Sequence, residues 1–253
     1  MPSLANPTRF MSLAGRLLPW LAGASACLLA AGLYLGLVVA PPDYQQGDTV
    51  RIMFVHVPAA WLAMVCYLVM ASAALGTLVW RHPLADVAAR AAAPIGATFT
   101  AIALASGSLW GRPMWGTWWV WDARLTSVLI LFLLYLGLIA LWRAIDEPAR
   151  AARAVAILTL VGTVNIPIIK FSVEWWSTLH QGASVIRFDG PTIHSSILVP
   201  LLVNALGFTC LFATLLLAAM RNEILRRRLR RLRILAASGE APAPRPVVQP
   251  ARG

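Results

Sequence analysis

"LTSVLILFLLYLGLIALW", residues Leu125 to Trp142, runs for 18 residues without one charged side chain. A helix rises 1.5 Å per residue, so about 20 apolar residues span the roughly 30 Å hydrocarbon core of a bilayer. Five further stretches of this kind flank it: Leu17 to Ala40, Ala59 to Trp80, Ala91 to Leu109, Ala154 to Phe171, and Ser195 to Met220. The chain of 253 residues is 59% hydrophobic and 12% charged, with a mean hydropathy of +0.73. That composition excludes a soluble domain. The expected fold is an all-α integral membrane protein of six transmembrane helices, with little chain left for an extramembrane domain.

The first apolar run follows Arg9 and Arg16, as a signal peptide would. It is longer than a signal's apolar core, and Pro41 and Pro42 stand where a cleavage site would fall, so it is expected to be retained as a span.

The net charge of +11 matters through its distribution. Arg9, Arg16, Arg81, Arg90, Arg143, Arg150, Arg153 and the C-terminal arginines fall on one side of the predicted spans. Arg51, Arg112, Arg124, Lys170 and Arg187 fall on the other. The positive-inside rule therefore places both termini in the cytoplasm. The arginine run from Arg226 to Arg233 would suggest a nucleic-acid patch in a soluble protein. Next to a span it reads as a helix extension against anionic membrane lipids, with no nucleic-acid partner. Residues 1–235 are expected to form one membrane domain, and the proline- and alanine-rich residues 236–253 a disordered tail.

Cys27, Cys66 and Cys210 sit singly inside spans, without metal or redox spacing. There is no C-x-x-C-H for covalent haem attachment. There is also no phosphate-binding loop, and Lys170 is the one lysine, so any ATP-driven step belongs to a partner subunit.

The stretch immediately before Leu125 carries the chemistry. "LWGRPMWGTWWVWDARLTS", residues Leu109 to Ser127, places Trp110, Trp115, Trp118, Trp119 and Trp121 beside Arg112, Asp122 and Arg124. This is the outer loop between the third and fourth helices. Bilayer interfaces are enriched in tryptophan, and single residues such as Trp20, Trp80 and Trp142 at span ends need no other account. An aromatic belt supplies one or two rings per helix end, whereas five rings with three charges point to a binding platform. Gly111, Pro113 and Gly116 are expected to break the helix at the start of this loop. Asp122 is expected to cap the fourth span, and "GTWWVW" to lie along the surface as a short amphipathic or extended segment. Arg124 would then occupy a first helical turn, a poor place for a cation unless an anion binds there.

His56 and His180 fall in the two neighbouring outer loops, and His194 just before the sixth span. Pro58 fits the first helical position of the second span. His82 lies in a short cytoplasmic loop and needs no special role. A histidine at a membrane interface is commonly satisfied by water or headgroups, but imidazoles, flat aromatic surface and arginine on one side suit one ligand. Haem iron takes axial imidazoles, the porphyrin face packs on aromatic surface, and the propionates pair with arginine. A zinc site would want more Cys, Asp or Glu ligands than the scattered outer acids provide; Glu174, moreover, is placed to pair with Lys170 four residues earlier. The spans hold no deep ionisable residue, which argues against a proton-coupled carrier. "VNIPII", from Val164 to Ile169, predicts a proline kink whose freed carbonyl is satisfied locally.

"WGTWWVWDARLTS", from Trp115 to Ser127, resembles the tryptophan-rich W-G-x-x-W-x-W-D signature of the haem-handling proteins of cytochrome c maturation. Within that family a short six-span chain resembles the maturation protein C type, also called haem exporter protein C. The resemblance covers nearly the whole chain up to the basic tail. It implies that His56 and His180 are the axial ligands of haem iron and that Trp115, Trp118, Trp119, Trp121 and Asp122 belong to the haem platform. Arg124 and Arg51, adjoining these motifs, are candidates for the propionates, and His194 is a rival ligand that the residues themselves leave open.

The implied role is to bind haem b transiently at the periplasmic face of the bacterial inner membrane and present it to a periplasmic haem chaperone, maturation protein E. The implied partners include an ATP-binding cassette complex of maturation proteins A and B and a small single-span protein D. The chain would be a haem-transfer protein rather than an enzyme. The alternative is a membrane haem protein for electron transfer or quinol oxidation, which would bury its histidines between spans.

Overall fold

The computed structural model describes residues 6–238 except 177, 181, 183, 186 and 188. The described residues form seven α-helices: α1 Pro7–Tyr34, α2 Met53–Leu78, α3 Ala85–Trp115, α4 Ala123–Ala144, α5 Pro148–Gly162, α6 Asn165–Trp175 and α7 Ser195–Ala237. With α5 and α6 taken together, six segments are long and apolar enough to cross a membrane. Six crossings bring the two ends of the chain to the same end of the bundle. There Arg228 of α7 donates to Thr8 of α1 at 3.4 Å.

Local chemistry sets the helix ends. Asn6 caps α1 by accepting from Thr8 N at 2.9 Å, ahead of Pro7 at the first helical position. Asp122 caps α4 by accepting from Leu125 N at 2.7 Å, as its place in the sequence predicts. The fifth span is interrupted rather than kinked. α5 stops at Gly162 and α6 restarts at Asn165, so Pro167 lies in the first turn of α6, where a missing N–H costs little. The carbonyl of Thr163, four residues before Pro167, accepts from Ile166 N at 3.0 Å, which is the local satisfaction expected there.

The sequence expectation fails at two prolines. α3 continues through Gly111 and Pro113 to Trp115, so Trp110 and Trp115 are helical and the loop shrinks to Gly116–Asp122. The true stop is Gly116, in the left-handed region at φ 76°, and Pro113, three residues before it, forfeits only one bond of the last turn. Pro58 is likewise not at a helix start. A 3-10 turn, Asp48–Ile52, leads into α2 at Met53, which puts His56 in the first turn of α2 and Pro58 inside the helix.

The core centres on α2, α3 and α4, with α5, α6 and α7 packed against it, and there Tyr67 and Tyr135 are fully buried with ring centroids 5.4 Å apart. Tyr135 donates to Ala63 O at 2.8 Å and Tyr67 to Thr159 O at 3.2 Å, so neither hydroxyl is left unpaired in apolar surroundings. Both rings press on glycine: a Cβ at Gly96 would lie 2.2 Å from Tyr135 Cζ. At the end holding the termini, Arg227 pairs with Asp86 and, at 2.8 Å, with the buried Glu223, while Trp142 Nε1 donates to Asp86 at 3.3 Å. This charged cluster ties α3, α4 and α7 together opposite the tryptophan loop. The arginines from Arg226 to Arg233 continue α7 in one helix to Ala237. Of the tail expected to be disordered, residues 239–253 lie outside the described residues.

Candidate functional site

At the end of the bundle away from the termini, a cavity of about 430 Å³ opens between α2, α3, α4 and α6 and the connections above them. His56, from the first turn of α2, and His180, from the connection between α6 and α7, both line it. Trp110 and Trp115 of α3, Trp119 of the loop and Arg124 of α4 complete the upper wall. The floor is apolar, reaching Met64, Val128 and Leu131. His56, Ala60 and Met64 succeed one another by single helical turns, so the cavity runs about 12 Å along α2.

His56 is held from α3. Its Nδ1 lies 3.0 Å from Ser106 Oγ, and its ring meets Trp110 edge-on at 5.6 Å between centroids. Trp110 is anchored in turn by its Nε1, which donates to Gln46 Oε1 at 3.1 Å. Gln46 sits in a tight turn built on Asp43, whose Oδ1 accepts from Gln45 N and Gln46 N at 2.9 Å each.

His180 faces Trp115 edge-on at 4.9 Å, and its Nδ1 lies 3.7 Å from Asp122 Oδ2. Neither of those two atoms has a hydrogen-bond partner among the described residues, although both are buried; Trp119 Nε1 is in the same position. Burial, and then the nearby Arg124 guanidinium, hold the His180 imidazole below its ordinary pKa, and Asp122 acts in the opposite sense. His180 is therefore neutral at pH 7, the form that offers a lone pair to a metal.

Arg124 reaches across to α6, where its Nε donates to Ser172 Oγ at 2.7 Å. Ser172 spends its own proton on Ile169 O at 2.9 Å. Among the described residues the terminal amino groups of Arg124 find no hydrogen-bond partner, which leaves two donors at the cavity wall for an anionic group.

The tryptophan motif divides in two. Trp115 and Trp119 line the cavity, whereas Trp118 and Trp121 do not and are 55% and 76% exposed. Ser108 fixes the loop by donating to Trp118 O at 2.7 Å, and "GTWWVW" is not helical: it bends at Gly116–Trp118 and continues as irregular chain.

Arg51 does not reach the cavity. It pairs with Asp48 at 3.1 Å and donates to Leu37 O at 2.5 Å, where the widened last turn of the first span, Leu35–Val39, leaves carbonyls to be capped. His194 does not line it either. Its Nδ1 accepts from Ser196 N at 3.2 Å and caps α7. Lys170 and Glu174 do not pair with each other; both line the cavity instead.

Sequence reasoning missed Ser106, Gly107 and Gln46, small or neutral residues whose significance depends on which neighbour they meet. The signal available was "ASGS", Ala105 to Ser108, a polar and flexible patch inside an otherwise apolar span.

Residues 1–235 match the family model described as Heme exporter protein C. The chain is 70% identical over 235 residues to the Heme exporter protein C of Bradyrhizobium diazoefficiens, covering 93% of this chain and 89% of that one. It is 53% identical over 222 residues to that of Escherichia coli K12, covering 88% and 89%. With that of Rhodobacter capsulatus it shares 46% identity over 229 residues, covering 90% and 95%. On these matches the chain belongs to the heme exporter protein C family.

Proposed function

We propose that this protein binds haem b in the cavity beneath the tryptophan loop and hands it to a periplasmic haem chaperone during cytochrome c maturation. The observation that carries this reading is that His56 and His180, 124 positions apart in sequence, line one cavity whose wall also holds Trp115, Trp119 and Arg124. The donor set suits the cargo. Imidazoles suit the iron, indole rings and an apolar floor the porphyrin, and the two free amino donors of Arg124 a propionate. Asp122 contributes by capping α4 and facing His180, rather than by touching haem directly. Trp118 and Trp121, being exposed, belong to the rim that an arriving chaperone would meet.

The arginine distribution supports an orientation with both termini in the cytoplasm and the cavity at the outer face, which the family resemblance makes the periplasmic face of a bacterial inner membrane. Haem held at that level keeps an edge within reach of a soluble partner. Maturation protein E as acceptor, maturation proteins A and B as the ATP-binding cassette complex and protein D as a single-span companion are the partners that the family resemblance implies.

The test is transfer itself. Haem-loaded protein in detergent is mixed with the purified soluble domain of the chaperone and followed by its visible spectrum. Haem is expected to leave this protein for the chaperone, with His56→Ala and His180→Ala loading poorly and passing little on. Full loading and transfer by both variants would overturn the reading.

A further inference from the structure

The two histidines are held in unlike ways. Ser106 Oγ lies 2.6 Å from Ile102 O and 3.0 Å from His56 Nδ1. A hydroxyl has one proton, and here it goes to the carbonyl one turn back, so the proton in the second contact comes from the imidazole. His56 therefore carries its hydrogen on Nδ1 and presents Nε2 as a lone pair, backed by a neutral oxygen.

His180 is backed by an anion. Asp122 uses Oδ1 to cap α4 through Leu125 N, which fixes the carboxylate and leaves Oδ2 buried, without a hydrogen-bond partner among the described residues, and 3.7 Å from His180 Nδ1. A small ring movement closes that gap to a hydrogen bond when Nε2 is pulled onto a metal. A carboxylate accepting from a ligating imidazole raises the ligand's basicity, and charge-assisted bonds are roughly twice as strong as neutral ones.

We propose that Asp122 makes His180 the stronger ligand and that Ser106, orienting but not strengthening His56, makes His56 the one released first. Both are positioning residues. The inference rests on the haem-binding reading above and adds an order to the handover: the Fe–His56 bond opens while His180 and the indoles retain the porphyrin, so the partner enters on the α2 side.

The test measures haem release from the full-length protein in detergent to excess apomyoglobin. His180→Ala is expected to release haem faster than His56→Ala. Asp122→Asn keeps the helix cap, since Asn and Asp cap equally well, but removes the charge. It is expected to speed release by about 10- to 100-fold in the wild type and in His56→Ala, and to have no effect in His180→Ala. Ser106→Ala should speed release by less than about tenfold, only while His56 is present, and Ser106→Thr should restore the wild-type rate by keeping the hydroxyl.

A merely structural role for Asp122 predicts the same effect in all three backgrounds, and that result would overturn the proposal. So would His56→Ala releasing faster than His180→Ala. If neither alanine variant alters release, the ligand assignment itself fails, a distinguishable result.

Discussion

A methyl group at position 107 would lie 2.9 Å from His56 Cε1 and 3.4 Å from its Nδ1, so Gly107 of α3 is what gives the His56 imidazole its room. The ring, not the helix, would yield to such a methyl. Gly107→Ala is thus expected to turn His56 away from Ser106 and weaken haem binding by about tenfold or more. Alanine favours a helix, so helicity and melting temperature should hold. Haem titration by absorbance, with circular dichroism on the same sample, checks both halves.

The two arginines that adjoin the motifs should separate. Arg124 lines the cavity and holds Ser172 through Nε alone, whereas Arg51 is committed to Asp48 and to the carbonyl of Leu37. Arg124→Gln is expected to lower haem affinity by roughly tenfold, the scale of one lost charge-assisted hydrogen bond of about 1.5 kcal/mol. Arg51→Gln should leave haem affinity near wild type and lower the thermal midpoint instead, because the end of the first span loses its cap. Equal loss of haem from both would show that Arg51 also reaches the ligand.

The pH dependence follows from His180. A proton and iron compete for the same imidazole lone pair, and burial together with Arg124 lowers the affinity of His180 for the proton. The pKa of the folded protein is depressed, so haem occupancy should stay level as pH falls to about 6.5, the ordinary imidazole value. It should be lost only at lower pH. A Soret titration checks this, and half-loss at or above pH 6.5 would contradict the described surroundings of His180.

Much of this was legible in the sequence for a physical reason: a run such as Leu125–Trp142 has no alternative to burial in lipid, and Asp122 before an apolar run can do little but cap it. His56 and His180 stood out because imidazoles are scarce here. Less was legible where helix ends compete. Pro113 and Pro58 look like boundaries, yet a helix absorbs a proline near either terminus when packing holds the turn, and only the left-handed Gly116 marks the actual stop. Arg51 and Arg124 look alike by adjacency to motifs; what separates them is the free carbonyl of Leu37, which no local pattern reveals. Ser106 becomes a partner of His56 only through the packing of α2 against α3, 50 residues apart in sequence.

The central claim is that His56 and His180 together hold one iron. Low-temperature electron paramagnetic resonance of the purified protein loaded with ferric haem tests this most directly. The account predicts a six-coordinate low-spin signal of two imidazoles that gives way to a high-spin signal in either His56→Ala or His180→Ala. A high-spin signal from the wild type, or a low-spin signal unchanged in either variant, would contradict it.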